Sequence, residues 1–345
     1  MNTYYNPMEN KFLVYSTQNG GLGDRLFGLV SSYLLALLNG YNFRIKLDDD
    51  ITYADVFTSP IDWWNDDWKL LPLKRGRFNI ESDLINNLDF FKTQTLSEKF
   101  PDSDCVYIYS NQNFIQYIFE NEKYKNKLKE LELTPENCFS KLINNLLVFE
   151  DEFQKNYDYL KSKLKSNNVK TIGIHIRTNR FWGDVPEISD NTLELFNKTI
   201  DAVSDGDERI FLCSDDEQVI FDLKNRYGDD RVFAVPGQAV HYSKNTKKTI
   251  YDVIKTFFEI WLLSECDTII ASYWSNFSRV AVLKSMKQPV IVEMEINDNP
   301  KQPTIDWVNS KNIKTNDDLR KHFNIPYPID NGFRYAKMLA LSTKI

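Results

Sequence analysis

Three short runs carry residue types able to hold a nucleotide diphosphate: Asn19-Gly20-Gly21-Leu22-Gly23-Asp24-Arg25, His175-Ile176-Arg177 and Ser272-Tyr273-Trp274-Ser275-Asn276-Phe277-Ser278. The first and third are glycine or hydroxyl turns that open a helix, where backbone N–H groups lack intrahelical partners and can turn toward an anion. In the second, alternation puts an imidazole and a guanidinium on one side of a strand end. A guanidinium fork matches two phosphate oxygens at once, which lysine does not reproduce. Asp24 and Arg25 place a charged pair at the opening of the first helix, where a ligand would dock. A fourth run, Ser214-Asp215-Asp216, closes a strand and suits two uses. It fits an N-cap for the next helix, and it fits a paired acceptor for the N1 and N2 hydrogens of guanine, which adenine cannot supply.

Composition narrows the ligand classes. The chain has 345 residues, 42% hydrophobic and 26% charged, so a globular protein of two domains is expected. A net charge of −7 and a pI near 5.2 argue against wrapping nucleic acid, so an anionic ligand has to be held by a local site. Cys105, Cys138, Cys213 and Cys266 are scattered without metal-ligand spacing and read as reduced, buried thiols. Residues 1–9 are polar and the apolar stretch 26–38 is shorter than the roughly 20 residues a bilayer needs, so a cytoplasmic protein without a membrane span is expected. A glycan on the sequon Asn276-Phe277-Ser278 would land on the proposed phosphate turn, a second argument against the secretory route.

The glycine turn invites a dinucleotide reading, since Asp48 closes the following strand. Counted from Gly21, however, Leu26 stands where the third glycine of G-x-G-x-x-G belongs.

The positioning elements follow from periodicity. Phe12 to Tyr15, a helix over Arg25 to Leu38 and a strand over Phe43 to Leu47 form a βαβ unit. Residues 48–77 read as an irregular loop with Trp63, Trp64 and Trp68 as a candidate sugar platform or hydrophobic cluster, and 112–131 and 135–164 read as helical. From Thr171 onward strands and helices alternate: strands at 171–176, 209–213, 232–235, 268–271 and 289–292, helices at 193–203, 216–227, 249–263 and 277–286. The polar run 161–170 marks the boundary between an N-terminal α/β lobe, 1–165, and a C-terminal Rossmann-like lobe, 166–345.

The order Gly20-Gly21-Leu22-Gly23, His175-Ile176-Arg177, Phe211-Leu212-Cys213-Ser214-Asp215-Asp216 and Ser272 to Arg279 resembles the superfamily of α1,2-, α1,6- and protein O-fucosyltransferases. That resemblance implies an α/β, GT-B fold: two Rossmann-like lobes with parallel sheets facing a cleft. It also implies an inverting, metal-independent transfer of L-fucose from GDP-fucose to a glycan hydroxyl, with no cofactor beyond the donor. By the same resemblance Arg177 holds the β-phosphate, His175 and Asp215 or Asp216 contact guanosine, and Ser272, Ser275 and Asn276 bind the diphosphate. Gly21 and Gly23, beside Arg25, would let the N-terminal loop close over the nucleotide. Where many relatives continue His-x-Arg with Arg-Gly-Asp or Arg-Thr-Asp, this chain has Thr178-Asn179-Arg180 and its acid arrives at Asp184. Asp24, Asp184 and Glu187 are the candidates for the general base. A transferase using another GDP-sugar, a non-catalytic nucleotide-sugar or glycan-binding protein, and an NAD-dependent Rossmann oxidoreductase are the competing readings.

Overall fold

A computed structural model describes residues 11–16, 20–46, 53–58, 63, 67–166, 169–178, 190–237, 249–272 and 275–292. The chain divides into two units, Met1–Phe153 and Gln154–Ile345. In the first the elements run β1 (Phe12–Ser16), α1 (Leu22–Asn39), β2 (Asn42–Lys46), β3 (Phe57–Thr58), β4 (Arg75–Asn79), α2 (Leu84–Thr93), α3 (Leu96–Lys99), β5 (Cys105–Tyr109), α4 (Ile115–Phe119), α5 (Lys125–Glu130), α6 (Cys138–Leu146) and β6 (Val148–Phe149). Helix α7 (Asp151–Leu164) leads into the second, which holds β7 (Thr171–Ile176), α8 (Asp190–Val203), β8 (Arg209–Ser214), α9 (Glu217–Tyr227), β9 (Val232–Phe233), α10 (Ile250–Glu265), β10 (Thr268–Ser272), α11 (Asn276–Ser285) and β11 (Val290–Val292).

Strand β1, Phe-Leu-Val-Tyr-Ser, is buried along its whole length, as an inner strand of a parallel sheet must be. The sheet order is β2-β1-β5-β4, every pair parallel. Helix α1 is buried on nearly every side and ends where Gly40 turns left-handed at φ 68, a conformation that costs glycine no Cβ clash. It lies over the face bearing Tyr15 and Phe43: the Tyr15 hydroxyl donates to the Arg25 carbonyl at 2.7 Å, and the rings of Tyr33 and Phe43 stand 5.2 Å apart. On the opposite face Trp68 and Leu73 pack against Phe12, Val14 and Cys105.

Several expectations for this unit change. Helix α1 begins three residues earlier than expected, which places Gly23 and Asp24 inside its first turn. The stretch 48–77, read as irregular, supplies the start of β4, and β5 adds a strand that the sequence reading passed over. Residues 112–131 form two short helices joined by a 3₁₀ turn rather than one helix, and 135–164 breaks where β6 pairs antiparallel with β3. Trp63 and Trp68 are core residues, 0% and 2% exposed, so neither offers a ring face to a sugar; Trp64 lies outside the described residues.

The second unit follows the expected alternation to within a few residues. Its order, β11-β10-β7-β8-β9, all parallel, is that of a Rossmann half-sheet extended on both sides of its first strand. Ile172, Ile174 and Ile176 of β7 face Phe196 and Ile200 of α8 and Val219 and Leu223 of α9 in one buried cluster. The other face carries α10, which comes so close that a Cβ on Gly173 would sit 2.7 Å from Leu263 Cδ1 and 2.8 Å from Cys266 Sγ. All four cysteines are free and buried, and burial pushes the thiols of Cys105 and Cys266 up to about 12, so they stay protonated and unreactive.

Candidate functional site

In an open parallel sheet a crevice forms beyond the carboxyl ends of the strands, where consecutive connections leave in opposite directions. In the second unit that point falls between β7 and β10, and the residues singled out from the sequence gather there. The Ser272 hydroxyl, 1% exposed, donates to the His175 carbonyl at 2.7 Å and accepts the Arg177 backbone N–H at 3.2 Å. Ser278 Oγ donates to the carbonyls of Ser272 at 3.2 Å and Ser275 at 3.1 Å. These hydroxyls tie the ends of β7 and β10 to the first turn of α11.

Arg177 leaves that junction with its side chain 20% exposed, and its Nη1 lies 3.5 Å from Asp215 Oδ2. Asp215 is held in turn by the Thr178 backbone N–H at 2.6 Å and the Thr178 hydroxyl at 3.1 Å, both on Oδ1. A charge-assisted network of this kind fixes a guanidinium in one direction. The neighbouring acid has a different task. Asp216 caps α9, accepting the Gln218 N–H at 2.9 Å, while its own N–H donates to Ser214 Oγ at 3.2 Å.

His175, 5% exposed, stacks on Phe277 with centroids 4.6 Å apart and planes 20° apart. Its Nδ1 is buried without a hydrogen-bond partner. Burial, followed by the Arg177 charge, pushes the imidazole down to about 3, so it is a neutral ring at working pH. At the start of α11, Ser275 is the N-cap residue but its side chain makes no cap hydrogen bond. Asn276 Oδ1 instead accepts from Arg279 Nη1 at 2.7 Å. A helix start without a side-chain cap, near an oriented arginine, is an arrangement that suits an anion.

The sequence pattern also passes over Lys255 and Glu259. They form a buried, hydrogen-bonded ion pair on α10, with the Cys213 thiol on the Glu259 carbonyl at 3.8 Å. Burial raises the Glu259 carboxyl and Lys255 opposes the rise. The available signal was two opposite charges four residues apart inside an otherwise apolar helix.

Gly20, Gly21, Gly23, Asp24 and Arg25 lie in the first unit, at the start of α1. Asp24 Oδ2 accepts the Gly21 N–H at 2.9 Å, so the carboxylate closes back on the N-cap residue of α1. Arg25 is 5% exposed, and its Nε donates to the Gly20 carbonyl at 3.1 Å. Gly23 is buried in the helix. Gly28 is the close-packing glycine of this turn: a Cβ there would sit 2.0 Å from the Ser110 carbonyl oxygen. Asp48, Asp184 and Glu187 lie outside the described residues.

Residues 119–290 match the family model of α-(1,6)-fucosyltransferase N- and catalytic domains. A structure of a FUT1 mutant of Arabidopsis thaliana in complex with GDP is similar at a TM-score of 0.64 and 16% identity, over 83% of this chain and 71% of that one. The fucosyltransferase NodZ from Bradyrhizobium is similar at 0.50 and 18% identity, over 83% of this chain and 99% of that one. At such identities the likeness is one of fold: α/β, of the GT-B type, with parallel sheets. No curated protein sequence matches the chain. Three of the four motifs fall inside the matched family segment, and the chain belongs to the fucosyltransferase superfamily of glycosyltransferases.

Proposed function

We propose that this enzyme transfers L-fucose from GDP-fucose to a hydroxyl of a glycan acceptor, with inversion at the anomeric carbon and without a metal ion. The observation that carries the reading is Arg177, oriented by Asp215 and set beside the first turn of α11 at the β7–β10 switch point. The FUT1 structure contains GDP, and a NodZ α-1,6-fucosyltransferase was co-crystallised with GDP; the same nucleotide suits an anion site in this position.

In the reaction the acceptor oxygen forms a bond to the anomeric carbon as the bond from that carbon to the β-phosphate oxygen breaks. The electron pair stays on GDP, and the hydroxyl proton passes to a base, for which Asp24, Asp184 and Glu187 are the candidates. Negative charge grows on the β-phosphate, where the Arg177 guanidinium and the α11 amides are positioned to receive it. Their positive charge supplies the stabilisation that a divalent cation gives in other transferases, and no cofactor beyond the donor is needed. His175 contributes an uncharged ring and a buried nitrogen beside Arg177. Ser272 holds the strand ends in register, while Ser275 and Asn276 present the helix start. We place the enzyme in the cytoplasm.

Calorimetric titration with GDP, GDP-fucose, UDP and NAD in EDTA, repeated on Arg177→Ala, tests the reading. Selective binding of GDP and GDP-fucose by the native chain, weakened in the variant, is the expected result. Tighter NAD binding, or no GDP binding, would overturn it.

A further inference from the structure

The second face of the N-terminal sheet carries a cluster that the donor site does not use. The parallel register sets Arg75 beside Cys105, Arg77 beside Tyr107 and Asn79 beside Tyr109. Side chains two apart on a strand share a face, so two arginines and two tyrosines stand together. Burial along β4 alternates accordingly, with Arg75, Arg77 and Asn79 exposed and Gly76 and Phe78 buried. The rings of Tyr107 and Tyr109 are nearly parallel, 15° apart with centroids at 6.4 Å, and Trp68 meets Tyr107 edge-on at 5.7 Å. The buried Trp68 thus braces a row of half-buried tyrosines that continues toward the carboxyl end of β5. Ligands of parallel sheets gather at that end.

The arginines are available to a ligand. Arg75 donates to the Lys69 carbonyl at 3.3 Å, and neither guanidinium has an ion-pair partner among the described residues. Both lie close enough to the Tyr107 phenol to oppose the rise that burial imposes on it. Charges on an edge strand also discourage pairing with another sheet, but that use asks nothing of stacked tyrosines beside them. In a chain of net charge −7, two cations without carboxylate partners among the described residues, beside aromatic rings, match one ligand chemistry. Rings pack on the apolar faces of sugars, and guanidinium forks take their anionic substituents.

We infer that the face formed by Arg75, Arg77, Tyr107 and Tyr109 binds an acidic saccharide and selects it as the acceptor. Only its role as acceptor rests on the fucosyl-transfer reading above.

The test titrates the full chain with tetragalacturonate, a sulfated chondroitin tetrasaccharide and neutral maltotetraose, with GDP titrated in parallel. The expected result is binding of one or both acidic tetrasaccharides in preference to the neutral one, weakening as salt rises, because exposed charges are screened. Arg77→Gln is expected to weaken that binding about tenfold and Arg77→Lys less, and Tyr109→Ala to weaken it about tenfold through lost ring contact. GDP affinity stays unchanged in all three variants. Whether carboxylates or sulfates are preferred identifies the anionic group. Equal binding of maltotetraose, no saccharide binding by a chain that binds GDP, or variants that bind like the native chain would each overturn the inference while leaving fucosyl transfer intact. Selective binding of an acidic tetrasaccharide by a chain that does not bind GDP would keep this site and remove the transfer reading.

Discussion

The two parallel sheets leave their strand ends in different states. In the second unit β7 and β10 meet at a switch point, and in the first β1 precedes the glycine turn that opens α1; the sequence marks the residues at both places for a nucleotide diphosphate. At the end of β1 the polar groups serve the turn itself. Asp24 closes on the Gly21 amide, Arg25 on the Gly20 carbonyl, and Gly28 lets the helix touch Ser110. At the end of β7 serine hydroxyls hold the backbone, Asp215 holds Arg177, and α11 starts without a side-chain cap. A glycine turn that opens a buried helix is therefore architecture first. Capacity for an anion comes from a cation whose direction is fixed by a second charge beside an open helix start.

The strongest way to break this contrast is Arg177→Ala. Loss of one preorganised charge from the departing phosphate is expected to lower kcat/KM by about 10²- to 10³-fold, with the unfolding midpoint little changed. Steady-state kinetics on GDP-fucose beside thermal melts would show it, and a variant with near-native turnover would remove Arg177 from the reaction.

Gly28→Ala probes the other side. The added Cβ meets a backbone oxygen at 2.0 Å, so α1 must move off β5, at about 1–3 kcal/mol of stability as for other overpacked sites. Gly21→Ala, at φ −66 with Asp24 Oδ2 3.2 Å from the added Cβ, is expected to cost well under 1 kcal/mol, as a surface change without strain does. Urea denaturation of the pair measures the difference, and equal losses would mean that the turn, not the packing, carries the constraint.

Asp215→Asn sharpens the assignment at β7. The amide oxygen can still accept the Thr178 N–H, but the charge facing Arg177 is gone. The expected outcome is a fall in kcat of about tenfold, the size of one charge-assisted contact, with GDP binding no weaker because a nearby negative charge has been removed. A loss confined to GDP affinity would show that Asp215 touches the nucleotide rather than positioning the arginine.

How far the sequence was readable follows the same division. In the second unit β7 and β8 are apolar runs bounded by turn residues, so strands 171–176 and 209–214 stand out unaided. In the first, β4 reads Arg-Gly-Arg-Phe-Asn, a polar string whose strand character depends on pairing with β5, and residues 135–164 lose their helical continuity only because Val148 and Phe149 meet β3. The packing glycine falls outside the dinucleotide frame for a local reason. A frame counted from Gly21 reaches Leu26, whereas contact with β5 falls at Gly28, where the helix surface comes round to Ser110. Chemistry-bearing residues at strand ends were legible from spacing, but their division of labour was not. Ser272 as a clamp, Asp216 as a cap and Asp215 as the arginine's partner depend on contacts across 37 to 97 residues of sequence or on which of two adjacent acids turns outward.

The last expected effect concerns His175 and appears only as a dependence on pH. Its folded pKa, pushed down to about 3 by burial and the Arg177 charge, lies below the roughly 6.5 of the unfolded chain. The folded state therefore binds no proton here at neutral pH, and the unfolded state begins to take one up as pH falls through 6.5. Stability is full above that value and declines below it, by about 1.4 kcal/mol between pH 7.5 and 5.5 from this one group. His175→Gln removes the titration, so the difference in unfolding free energy between native and variant chains should shrink by that amount across the same interval, against a background of carboxylates common to both. An unchanged difference would mean that the imidazole is solvated and protonates freely. The neutral ring stacked between the Arg177 strand and α11 would then have to be replaced by a cation, which would add a second positive charge to the anion site and weaken the contrast between the two sheets at its more specific end.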